Sequence, residues 1–160
     1  MLHIEIICVG KLKENYLKDT IAEYAKRLSK YCSLNIVELP DEKLPSSFSE
    51  ADKYKIIEKE SNNILNHIKE NSYIIALDLK GKQYSSEEFS EKLSQIALNK
   101  NSYITFLIGG TLGMSANLLN QANELVCFSK MTFPHQLIRV FLLEQLFRSF
   151  KIQNNETYHR

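Results

Sequence analysis

Tyr103-Ile104-Thr105-Phe106-Leu107-Ile108-Gly109-Gly110 is an apolar run that passes without a break into a glycine turn, followed by Thr111-Leu112-Gly113. A strand covered on both faces reads as a continuous apolar run, whereas a half-exposed strand alternates. The same type of run recurs on either side. Residues 3–9 form one, ending at Gly10; residues 33–39 form another, stopped by Pro40; residues 73–79 are closed by Lys80-Gly81-Lys82; and residues 125–129 make a fifth. Helical periodicity fills the intervals. It is expected from about Asn15 to Tyr31, with Tyr16, Leu17, Ile21, Tyr24, Ala25 and Leu28 on the apolar side, and from about Glu50 to Lys69, with Tyr54, Ile57, Ile64, Leu65 and Ile68. Ser85 and Ser86 ahead of Glu87 and Glu88 signal a further helix start. A short helix is expected over Ala116–Ala122, and Pro134 opens a last one to about Phe150. Apolar strands alternating with helices predict an α/β fold, a mostly parallel sheet with helices on both faces, in one unit over residues 1–160.

Composition narrows the class. Hydrophobic residues make up 44% of the chain, charged residues 24%, and the formal net charge is +1, so the whole chain is not a polybasic nucleic-acid coat. Two segments are locally basic. Lys130, Arg139, Arg148, Lys151 and Arg160 face only Glu144 and Glu156, an excess of +3, and Lys11 to Lys30 carries the same excess. Such patches are compatible with RNA phosphates and equally with solvated helix faces. No apolar stretch is long enough to span a bilayer, and the start lacks a basic region ahead of an apolar core, which points to the cytosol. Cys8, Cys32 and Cys127 are scattered, with no CxxC pair, and read as small buried hydrophobes rather than metal or redox ligands.

Several stretches carry chemistry. Gly109-Gly110-Thr111-Leu112-Gly113 sits where open α/β sheets bind ligands, at the carboxyl end of a strand, and its glycines permit close backbone approach; a plain strand-to-helix turn explains it equally well. Leu77-Asp78-Leu79-Lys80-Gly81 is a turn, or a second wall of the same crevice. Thr132 can cap the helix behind Pro134, and Lys130 is an exposed charge or a ligand contact. On the last helix His135 and Arg139 share a face with Leu142, Leu143, Leu146 and Phe150. Arginine is almost never fully buried without a partner, so something negative or polar must meet that face. The partner is either an interface group or a substrate phosphate. The tail ends Tyr158-His159-Arg160. Those residues offer a stacking surface, a proton acceptor and a phosphate fork, in a position where disorder is the ordinary expectation.

Taken together, Ile108-Gly109-Gly110 with Gly113, the block from Phe128 to Arg148, the closing Tyr158-His159-Arg160, Val9 to Glu14 and Glu23 to Leu28 span the chain. This combination resembles the small SPOUT-class rRNA methyltransferases of the RlmH type. The resemblance implies an α/β knot with a C-terminal trefoil knot, which the general rule against threaded chains would not suggest. It implies S-adenosylmethionine held at Leu77, Gly109, Phe128, Ser129, Lys130, Met131, Thr132 and Phe133. It also implies a cytoplasmic homodimer with its final helices packed together, and no membrane or metal partner. The substrate it implies is 23S rRNA in assembled ribosomes, methylated at N3 of a pseudouridine in helix 69. On that footing His159 is the candidate proton acceptor, Arg160 and Arg139 stabilise charge or grip phosphate, and Tyr158 orients the base. A non-catalytic ribosome-binding protein and a nucleotide-binding protein with a phosphate turn at Gly109–Gly113 are the competing readings.

Overall fold

The computed structural model describes residues 1–99 and 101–158. Five strands and five helices alternate: β1 (Leu2–Val9), α1 (Asn15–Leu28), β2 (Cys32–Leu39), α2 (Glu50–His67), β3 (Tyr73–Lys82), α3 (Ser86–Leu98), β4 (Tyr103–Ile108), α4 (Ala116–Gln121), β5 (Glu124–Val126) and α5 (His135–Gln153). The strands form one sheet in the order β2-β1-β4-β3-β5, and every pairing is parallel. β4 is the central strand, and β1 lies between β2 and β4, with Ile6 opposite Ile36 on one side and Phe106 on the other.

Both faces are covered, as continuous apolar strands require. Ile4, Ile6 and Cys8 point into a core shared with α1, α3 and α5; Ile7 and Val9 point into a second core with Ile64 of α2 and Leu118 of α4. The three cysteines are free and buried, in keeping with their reading as small hydrophobes. Helix starts are chemically marked. Ser49 with Asp52 and Ser85 with Glu88 form reciprocal capping boxes that satisfy otherwise orphaned amides. Among the described residues no helix is long and apolar enough to cross a membrane.

Four expectations need correction. Tyr16 and Tyr54 fall at helical spacing but are 67% and 65% exposed, because a tyrosine can end its apolar body in water. Thr132 does not cap α5. The N-cap is Pro134, without a side-chain cap, and its carbonyl accepts from the amides of Leu137 and Ile138. α1 stops at Leu28, and α5 continues to Gln153. Finally, β3 runs on to Lys82 while β5 ends at Val126.

That last pair of boundaries has one cause. Val126 pairs with both Leu77 and Lys82, and the Cys127 amide donates to the Lys82 carbonyl at 2.9 Å. The chain from 77 to 82 therefore bends round the end of β5. Gly81 makes the bend sterically possible, since a Cβ there would lie 2.5 Å from the Val126 carbonyl carbon and 2.6 Å from that of Leu125. Backbone cannot swing aside as a flexible side chain can, so Gly81→Ala must displace β5. The substitution is expected to destabilise the fold by about 2 kcal/mol or more, measured by urea unfolding, and to lower the affinity of any ligand held by the 127–133 loop.

Candidate functional site

The carboxyl ends of β3, β4 and β5 open into a groove of about 460 Å³. Three loops wall it. The first is the bend in the second half of β3, where the Lys80 amide donates to Asp78 Oδ2 at 2.9 Å. The second follows β4, where the Gly113 amide donates to the Gly110 carbonyl at 3.0 Å. The third, after β5, is folded on itself: Cys127 Sγ donates to the Ser129 carbonyl, and the Met131 amide donates to Ser129 Oγ, each at 3.0 Å. Phe128 is anchored edge-on against Phe89 of α3, and Phe133 against Phe141 of α5. Loops at this edge of a parallel sheet are the usual place for a ligand.

Leu77, Gly109, Phe128, Ser129, Met131, Thr132 and Phe133 all line this groove. Lys130 is outside the lining and exposed. The stretch Leu77–Lys80 thus walls the groove rather than forming a mere turn. The sequence reading omitted from its binding set Thr111, Leu112, Met114, His135 and Ile138, which also line the groove. Thr111 and Leu112 lay in the glycine turn already singled out, and His135 was marked as a polar residue on an apolar helical face; Met114 and Ile138 carried no signal.

A family model described as "Predicted SPOUT methyltransferase" matches residues 2–159. The chain belongs to the SPOUT methyltransferase family. It is 58% identical over 159 residues to "Ribosomal RNA large subunit methyltransferase H" of Clostridium novyi (strain NT), and 57% identical to the protein of that name from Clostridium botulinum (strain Alaska E43 / Type E3). Each alignment covers 99% of this chain and 100% of the relative. This likeness is to SPOUT proteins of the RlmH type. A solved structure of a "probable methylase family protein" from Haemophilus influenzae Rd KW20 shares the fold, with a TM-score of 0.52 at 14% identity, covering 98% of this chain and 70% of that one.

Within this SPOUT fold the remaining site residues separate. Arg139 is 2% exposed, and its guanidinium is occupied inside the chain: Nη1 donates to Glu38 Oε2 at 2.7 Å, and Nη2 donates to the Gly10 and Val9 carbonyls at 2.6 and 3.3 Å. The partner that a buried arginine demands is therefore Glu38, not a phosphate, and the expected substrate contact has no accessible guanidinium to make it. Tyr158 lies along α5, its hydroxyl donating to Glu144 Oε2 at 2.8 Å and its ring edge-on to Phe147. Glu144 borders a second cavity that shares Val126, Phe128, Ser129 and Phe133 with the groove, so the tail begins one cavity away from it. His159 and Arg160 lie outside the described residues. Among the described residues no His, Cys, Asp and Glu cluster has the arrangement of a metal site.

His135 sits at the start of α5 against Gly10. A Cβ at Gly10 would be 3.0 Å from its Cε1, and Gly10 has φ +96°. Burial, reinforced by the positive charge of Arg139, holds the His135 pKa below the ordinary histidine value. A histidine kept neutral by the fold binds its proton more readily when unfolded, so its contribution is complete above the unfolded pKa of about 6.5 and is lost as pH falls below it. His135→Gln should therefore flatten the decline in unfolding free energy between about pH 7 and pH 5, measured by urea titrations at each pH; an unchanged slope would remove His135 as its source.

Proposed function

We propose that this protein is an S-adenosylmethionine-dependent methyltransferase of large-subunit rRNA, acting on N3 of a pseudouridine in helix 69 of the 23S rRNA within assembled ribosomes. The observation that carries the reading is the groove at the ends of β3, β4 and β5, in a chain similar over its full length to proteins named for large-subunit rRNA methylation. The donor chemistry of the groove suits the cofactor. Leu77, Ile108, Met131, Phe133 and Ile138 offer apolar contact to an adenosyl group, the loop backbones offer hydrogen bonds to a base edge and an amino-acid arm, and Asp78 is the one carboxylate of the described lining.

When bound, S-adenosylmethionine supplies an electrophilic methyl group on a sulfonium. The chain must then hold the nucleophile in line, roughly 3 Å away, and free its lone pair. N3 of a pseudouridine carries a proton that is only weakly acidic at neutral pH, so a base or a charge stabiliser is required. His159 is assigned as proton acceptor, with Arg160 stabilising the developing charge and Tyr158 orienting the base. Arg139 acts through the fold, by seating α5 and His135 against β1. Because Tyr158 is docked on α5 of its own chain, a tail that reaches a groove is best supplied by a second copy packed along α5. The active species is accordingly a homodimer.

Removal of residues 158–160 should abolish methyl transfer to ribosomes while changing the dissociation constant for S-adenosylmethionine less than about threefold by calorimetry; full turnover by the truncated dimer would take the tail out of the mechanism. Gly109→Leu should abolish cofactor binding. A Cβ at Gly109 already lies 2.8 Å from Met114 Cγ and 3.1 Å from the Gly113 carbonyl carbon, so the larger side chain pushes the Gly110–Gly113 turn into the groove. A folded Gly109→Leu protein with unaltered affinity in the same titration would contradict this.

A further inference from the structure

A smaller cavity of about 160 Å³ adjoins the groove and shares Gly110, Thr111, Leu112 and His135 with it. Its far wall is Glu60 of α2 and the loop from Asp41 to Leu44. Glu60 is only 6% exposed. One carboxylate oxygen, Oε2, accepts the Glu42 amide at 2.9 Å, which fixes the side chain. The other, Oε1, has no hydrogen-bond donor among the described residues and is turned toward Gly110, 3.0 Å from where a Cβ would stand. On the opposite side His135 Nδ1 is buried and without a partner among the described residues. The cavity thus presents a fixed carboxylate acceptor with no donor among the described residues, beside the groove assigned to the methyl donor.

We propose that this cavity receives the target base, with Glu60 accepting the N1–H of the pseudouridine. The inference rests on the function proposed above and adds the residue that selects the base. Uridine and pseudouridine present the same N3–H and carbonyl groups. They differ where pseudouridine has N1–H and uridine has C5–H, so only a group reading that edge can separate them. A buried carboxylate oxygen does so strongly, because a C–H in place of the N–H leaves a desolvated acceptor unpaired. Burial, with Asp41 and Glu42 adding negative charge, already raises the Glu60 pKa against the opposing Glu42 amide bond, so an incoming N–H donor relieves an existing strain on the charge. Gly110 is what lets a base approach, since any side chain there would meet Glu60 and Val9.

Glu60→Gln tests this without hollowing the core. Its amide oxygen keeps the bond to the Glu42 amide, and its NH₂ then faces the cavity, where it opposes N1–H. Single-turnover methylation is measured on ribosomes carrying pseudouridine and on ribosomes carrying uridine at the target position, with cofactor affinity and thermal midpoint recorded alongside. The wild type is expected to prefer pseudouridine by about a hundredfold or more. Glu60→Gln is expected to lose about tenfold or more on pseudouridine, to change little on uridine, and to keep its cofactor affinity. Equal losses on both substrates, an unchanged preference, or a loss of cofactor affinity would each overturn the assignment of Glu60. If the wild type methylates neither ribosome, the underlying function fails instead, and that outcome is visible before any variant is compared.

Discussion

One buried guanidinium joins the last helix to the first two strands. Arg139 comes from α5, yet its hydrogen bonds end on Glu38 at the close of β2 and on the carbonyls of Val9 and Gly10 at the close of β1. Val9 is the last paired residue of β1 and Gly10 follows it, so the guanidinium meets the chain where the strand ends. Breaking a buried ion pair generally costs about 3–5 kcal/mol, less here because Glu38 is one-third exposed. The geometric effect is larger than the energetic one. Arg139 sits one turn beyond His135, so seating the guanidinium also seats the imidazole over Gly10, and with it the wall between the groove and its neighbouring cavity.

That coupling explains which parts of the molecule could be read in advance. Strands β1 and β4 were legible because a strand covered on both faces leaves no choice of register face, and residues 103–108 were expected as a strand with the boundaries observed. The need of Arg139 for a partner was legible from elementary desolvation. The identity of the partner was not, since Glu38 is 101 residues away and no local pattern links them. The same holds at Gly81. It looked like the end of a turn, whereas its lack of a side chain serves the backbone of β5 more than forty residues later. Long-range backbone contacts of this type have no periodicity to betray them.

Site residues followed a similar division. Gly109 could be suspected from its place after an apolar strand, whereas the stretch Phe128–Phe133 was assigned through resemblance, and the structure gathers it round the groove apart from Lys130. Glu60 escaped notice entirely. It lies in the polar sequence Lys59-Glu60-Ser61 of α2, where charged residues read as a solvated face, yet Glu60 and Ser61 are both buried. Ser61 Oγ accepts the Ser115 amide, and Glu60 Oε2 accepts that of Glu42. Two polar side chains of one helix thus position the loops on either side of the small cavity, a role that binary patterning cannot reveal.

Charge completes the argument about what approaches the groove. Three of the cations in the C-terminal segment are paired within the chain: Arg139 meets Glu38, Arg148 meets Glu144, and Lys151 meets Glu156. Paired cations release few counterions from a nucleic acid and contribute little to its affinity. Exposed lysines remain at this edge: Lys80 in the groove lining, Lys130 beside it, and Lys11 and Lys13, which come just after Gly10; the Lys13 amide also contacts Gln136 of α5. With a formal net charge of only +1, phosphate attraction alone gives the chain little grip on RNA. Two copies packed along α5 would double the exposed basic surface and bring both grooves to one assembly, and the shape of a folded ribosomal target would have to supply the rest of the recognition. Selectivity would then fall to the small cavity, where the Glu60 carboxylate can discriminate between bases that the phosphate backbone presents identically.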